Sequence, residues 1–149
     1  MGVNEGMRAE VRGMKSNNRQ DLRKRTREFA LRSITLYAAL PKTTEAQVLG
    51  KQLLRSGTSV GAHYREACRA KSNADFISKI EGGLQELDEK LYWLELLADA
   101  RIVKAERLKP LESETNELIA MFVSMAKGLK PKMGAASRKV IPHPSALIP

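Results

Sequence analysis

Apolar positions along the chain recur at helical spacing in four blocks, and nowhere do they alternate as a strand requires. Phe29, Ile34, Tyr37 and Leu40 predict a first helix over about 19–40, stopped by Pro41. Thr43 and Thr44 offer N-caps for a second helix over about 45–70. Ser72, with Asp75 three residues on, resembles a capping box and opens a third helix that runs to about residue 100. A fourth extends over about 105–128, with Pro110 near its first turn and Gly128 placed to end it. Four long helices on short loops predict an all-α protein, an antiparallel up-and-down four-helix bundle over residues 19–129. Residues 1–18, with three glycines and the run Ser16-Asn17-Asn18, and residues 130–149, with four prolines, carry no apolar period; both are expected to be disordered basic tails.

The second helix separates its chemistry by face. At 100° per residue, Leu49, Leu53, Val60, Tyr64 and Ala67 fall in one sector and predict its core side. Lys51, Arg55, Arg65 and Arg69 gather within about 80° on the other side, with no acid in that stripe. Several cations on one face suit a polyanion, and guanidinium groups suit bidentate phosphate contact. Between the two faces, Gly57 and Gly61 give a GxxxG spacing that lets another helix approach closely. In the third helix Phe76, Ile80, Leu84, Leu87, Leu91, Leu94 and Ala98 form a core stripe, while Trp93, Leu96 and Leu97 widen the apolar surface.

Charge sharpens this picture. The net charge is +9, and residues 1–32 hold nine Lys/Arg against four acids, while residues 130–149 hold four Lys/Arg and no acid. The intervening segment balances 13 basic against 13 acidic residues, so the excess sits on the tails and the first helix. Arg19, Arg23, Lys24, Arg25 and Arg27 thus join the stripe as candidate phosphate contacts. No run approaches the ~18 uninterrupted apolar residues of a membrane helix, and the basic start lacks the apolar stretch of a secretory signal. Cys68 stands alone, which excludes a disulfide framework and fits a cytoplasmic setting.

The stretch LRSGTSVGAHYREACRAKSNADF from Leu54 to Phe76, followed by DFISKIEGGLQEL and LYWLELL, resembles the bacterial four-helix-bundle family of proteins encoded in intervening sequences of 23S ribosomal RNA genes. A more distant likeness is to the accessory protein of diversity-generating retroelements. The resemblance implies the bundle, no reaction and no cofactor. It further implies a ring-like homo-oligomer, often a pentamer, with Leu54, Gly57, Gly61, Trp93 and Leu97 as its expected interface. A ring would multiply the basic stripe and raise avidity. Two departures stand out. His63 occupies a position where the family usually has Asn, and Gly82-Gly83 replace an apolar residue and Ala, at about 1 kcal/mol for each glycine in a helix interior.

Other chemistry finds little support. Helical spacing spreads Glu81, Glu86, Asp88, Glu89, Glu95 and Asp99 over outer faces, with Glu86 and Lys90 in an i,i+4 pair. No HExxH, paired Cys or Glu-x-x-His accompanies His63, no phosphate loop is present, and Cys68 is expected to pack. The sequence therefore points to a non-enzymatic nucleic-acid-binding bundle, without metal or small-molecule substrate, whose ligand is RNA or DNA. The alternative is a protein–protein scaffold or accessory subunit, for example of a reverse transcriptase, that uses its apolar helix faces.

Overall fold

The computed structural model describes residues 16–128 of the chain, which form four α-helices: α1 Ser16–Ala39, α2 Thr44–Cys68, α3 Asn73–Asp99 and α4 Ala105–Ala126. The tails at 1–15 and 129–149 lie outside the described residues. Residues 16–18, expected in the N-terminal tail, belong to α1. Each helix packs closely on its successor, whereas α1 and α4 touch only lightly, so the bundle runs up and down with its α1–α4 side the loosest. One core of Leu22, Phe29, Leu53, Val60, Tyr64, Ile80, Leu87, Leu94, Leu118 and Phe122 runs through it.

The helix ends follow local chemistry. Thr43 caps α2, where its hydroxyl accepts from the Ala46 amide, and Ser72 caps α3 by accepting from the Asp75 amide at 3.0 Å. Tyr37 donates its hydroxyl to Gln47, whose side-chain amide reaches the Pro41 carbonyl, tying the α1–α2 turn. The α3–α4 turn is a Schellman closure: the Ile102 amide bonds Leu97 O at 3.0 Å and the Arg101 amide bonds Ala98 O at 3.0 Å. The left-handed residue in it is Arg101, at φ 59°, where glycine is usual. Gly128 takes the equivalent place after α4 at φ 74°. Pro110 lies in the second turn of α4, so the carbonyl of Glu106 loses its helical donor there.

Glycines set the helix spacing. A Cβ on Gly50 would stand 2.6 Å from Leu40 Cδ1, and one on Gly57 would collide with Ser33 Oγ and reach within 2.5 Å of Lys90 Nζ. On Gly61 it would meet Thr26 Oγ1 at 3.3 Å, so the GxxxG seam is filled by α1 of the same protomer. On the other side of α2, a Cβ on Gly82 would stand 2.8 Å from His63 Cε1, and one on Gly83 would stand 2.5 Å from Phe122 Cε2. The glycine pair in α3 thus opens the space that the His63 ring and the Phe122 ring occupy.

Lys90 is the feature that periodicity misplaces. It is not half of a surface pair with Glu86 but 0% exposed, with its ammonium position hydrogen-bonded to Ser33 Oγ and 4.5 Å from the centroid of the Phe29 ring. Burial, reinforced by the nearby Arg32 charge, pulls its pKa down from 10.5 to about 7. Contact with the Phe29 face favours the cation by roughly 1–2 kcal/mol, less than the several kcal/mol that desolvating an unpaired ammonium costs. Desolvation wins, and burial favours the neutral amine.

Two outcomes follow for stability, read by urea denaturation. Arg101→Gly relieves the left-handed strain and raises stability by up to about 1 kcal/mol. Gly82→Ala gains little or loses stability in the native background, but gains about 1 kcal/mol once His63→Ala has emptied the space; additive effects would show that the two residues do not share it.

Candidate nucleic-acid interface

The expected basic residues separate into two sets. Arg55, 47% exposed at its side chain, reaches across to α3, where its guanidinium bonds Glu86 at 3.1 Å and Glu89 at 2.8 Å. The expectation that no acid meets the stripe therefore needs correcting, because helical periodicity within α2 says nothing of the acids that α3 brings beside it. Arg25 is committed more deeply: its Nη2 lies 2.5 Å from Glu114 and 3.7 Å from Glu117 on α4, and the Arg25 and Glu114 side chains are each only 16% exposed. Arg25 thus bridges the loose α1–α4 side. Lys24 makes only a long contact of 3.9 Å with Glu28 at the surface.

The second set stays open. Arg23, Arg27, Lys51, Arg65 and Arg69 are exposed and Arg19 is partly exposed, and none of them forms an ion pair among the described residues. Antiparallel packing brings the start of α1 beside the end of α2. There the charges of Arg23, Arg19 and Arg69 all act on the Cys68 thiol. Burial is the larger effect and leaves that thiol pKa raised, as it does for Tyr64, one turn earlier. The Tyr64 hydroxyl is buried, faces the thiol and has no nitrogen or oxygen partner. Arg65 stands one turn before Arg69 on the same helix, so the four arginines lie at the same end of the bundle. Lys51 lies 18 residues before Arg69, about 27 Å away along the helix, and is not part of that cluster.

The residues expected at an oligomer interface also divide. Gly57 is buried against α1, Leu97 is 0% exposed in the core, and Gly61 faces Thr26, so these three are occupied within the protomer. Leu54 is half-buried, and Trp93 is half-buried against the core with its indole N–H buried and unpartnered. Tyr92, 52% exposed, leans on Trp93 with ring centroids 5.0 Å apart.

Residues 18–124 match the family described as 23S rRNA-intervening sequence protein. The chain belongs to that family. A solved member of the S23 ribosomal protein family from Bacteroides thetaiotaomicron VPI-5482, described as a protein with unknown function, is 38% identical over 73% of this chain and 97% of its own, with a TM-score of 0.69. No curated protein matches. The family match spans nearly the whole bundle, so the paired arginines and the open ones both lie within the matched residues. Among the described residues no group of three His, Cys, Asp or Glu side chains could hold a metal ion, and no helix is long and apolar enough to cross a membrane. This family member is an all-helical protein.

Removing the buried arginine and the exposed one should have unequal effects. Arg25→Ala leaves Glu114 half-buried without its partner and lowers stability by about 2–3 kcal/mol, whereas Arg55→Ala changes it by less than about 1 kcal/mol. Thermal or urea unfolding of both variants checks the ranking.

Proposed function

We propose that the chain is a non-enzymatic nucleic-acid-binding bundle that contacts RNA or DNA phosphates through Arg19, Arg23, Arg65 and Arg69, assisted by Arg27 and by the basic tails. The observation that carries this is the convergence of α1 and α2 cations at one end without acids to neutralise them among the described residues. The family name, which refers to 23S rRNA, favours RNA among the two. Contact is mainly electrostatic: the chain has 5% aromatic residues, too few for a stacking platform. A homo-oligomeric ring would set several such ends side by side, with Leu54 and Trp93 the expected interface residues that keep some exposure.

Fluorescence anisotropy of the full chain with a structured RNA and a duplex DNA, across a salt series, tests this. Four phosphate contacts predict a slope of log affinity against log salt of about −3 to −4, steeper if the tails add contacts. Arg65→Gln with Arg69→Gln should weaken binding about tenfold at low salt, while Arg55→Gln, whose charge Glu86 and Glu89 already offset, should change it less than about threefold. Equal losses from the two would overturn the assignment, and no binding by folded protein at low salt would put the scaffold reading ahead.

A further inference from the structure

Helix α1 supplies half of the open arginine cluster, and its contact with α4 is light. It is held by the glycine seam of α2, by the Arg25 bridge to α4, and by a diagonal contact in which Lys90 of α3 is sealed beneath Ser33 and Phe29. The Ser33 hydroxyl gives its proton to the Phe29 carbonyl at 2.9 Å, so toward Lys90 it can only accept. A charged amine has three protons to place and finds one oxygen and one ring face; a neutral amine has two, and both are met. No carboxylate among the described residues takes the third. Glu86 and Glu89 of its own helix are turned to Arg55 of α2, Glu114 of α4 is held by Arg25, and Arg32 of α1 adds only positive charge.

We propose that Lys90 makes the docking of α1 proton-dependent: the neutral amine seals beneath Ser33 and Phe29, and protonation loosens α1 from the other three helices. Through α1 the switch reaches Arg19 and Arg23, which rests on the nucleic-acid reading above. The direction follows from the two states of the amine. Undocked and solvated, it holds its proton up to about 10.5; docked, only up to about 7. Between these values the undocked state carries the extra proton, so docking strengthens as pH rises from about 7 and is at its weakest, and level, below that.

Hydrogen–deuterium exchange of the full chain, normalised to intrinsic exchange rates, reads α1 docking directly. Protection of α1 amides near Phe29 and Ser33 should fall about tenfold from pH 8 to pH 6, with α4 amides changing less. Lys90→Met should remove the pH dependence; should that variant fail to fold, Ser33→Ala serves, since losing the acceptor moves the transition to lower pH. Protection of α1 that ignores pH, or equal loss in α1 and α4, overturns the switch. Anisotropy with a labelled RNA hairpin at fixed salt separates the two readings. Weaker binding at pH 6 than at pH 8, abolished by Lys90→Met, supports both. An α1 that loosens while RNA binds at neither pH leaves the switch standing and removes the nucleic-acid reading.

Discussion

The close approach of α1 to α2 is the constraint on which the other features of the bundle depend. At Gly50, Gly57 and Gly61 α2 presents no side chain to α1, and Leu40, Tyr37, Ser33 and Thr26 fill the space. At that separation Ser33 and Phe29 can reach the diagonal Lys90 and cover it. With a bulkier seam α1 would stand away, water would enter, and Lys90 would be an ordinary solvated lysine. The same approach sets Arg19 and Arg23 beside the end of α2. Each glycine weakens its helix by about 1 kcal/mol, and the close contact must recover that through packing.

Charge is sorted by the same geometry. Where Arg55 of α2 faces α3 and Arg25 of α1 faces α4, acids meet the cation: Glu86 and Glu89 for Arg55, and Glu114 and Glu117 for Arg25. The outer α1–α2 side has no third helix to supply acids, so its guanidinium groups remain uncompensated among the described residues. Like charges crowded on a folded surface destabilise it modestly, and a polyanion would relieve that repulsion. The open cluster is thus the part of the surface with most to gain from a polyanionic ligand.

The four helices, their caps at Thr43 and Ser72 and the end at Gly128 were legible because each rests on near-neighbour chemistry. The core stripe of α2 was legible from period alone: Leu53, Val60, Tyr64 and Ala67 are buried, and Leu49 packs half-buried against the core. What periodicity could not show was which neighbour each flank would meet. Arg55 and Arg25 read as free cations because their acids lie 31 and 89 positions away in sequence. Lys90 read as a surface residue because lysine usually is one, although it falls between the core positions Leu87 and Leu94, one turn from each on the same side. That placement was the available signal. The GxxxG spacing correctly indicated a close helix partner, but a spacing cannot say whether the partner comes from the same chain.

His63 and Gly82-Gly83 read from the sequence as two separate departures from the family pattern. They are in contact: the imidazole lies where a Gly82 side chain would be, and the Gly83 position would press its Cβ to 3.5 Å from the His63 Cβ. The glycines on α3 leave the room that the histidine on α2 fills, so the two positions act as one packing unit. Both sit on the α2–α3 side, where Glu66 and Lys79 also meet at 3.6 Å. Arg65 and Arg69 project from the other side of α2, so the exchange at the α3 contact leaves their helix face in place. The two departures are thus one packing contact on the α2–α3 flank.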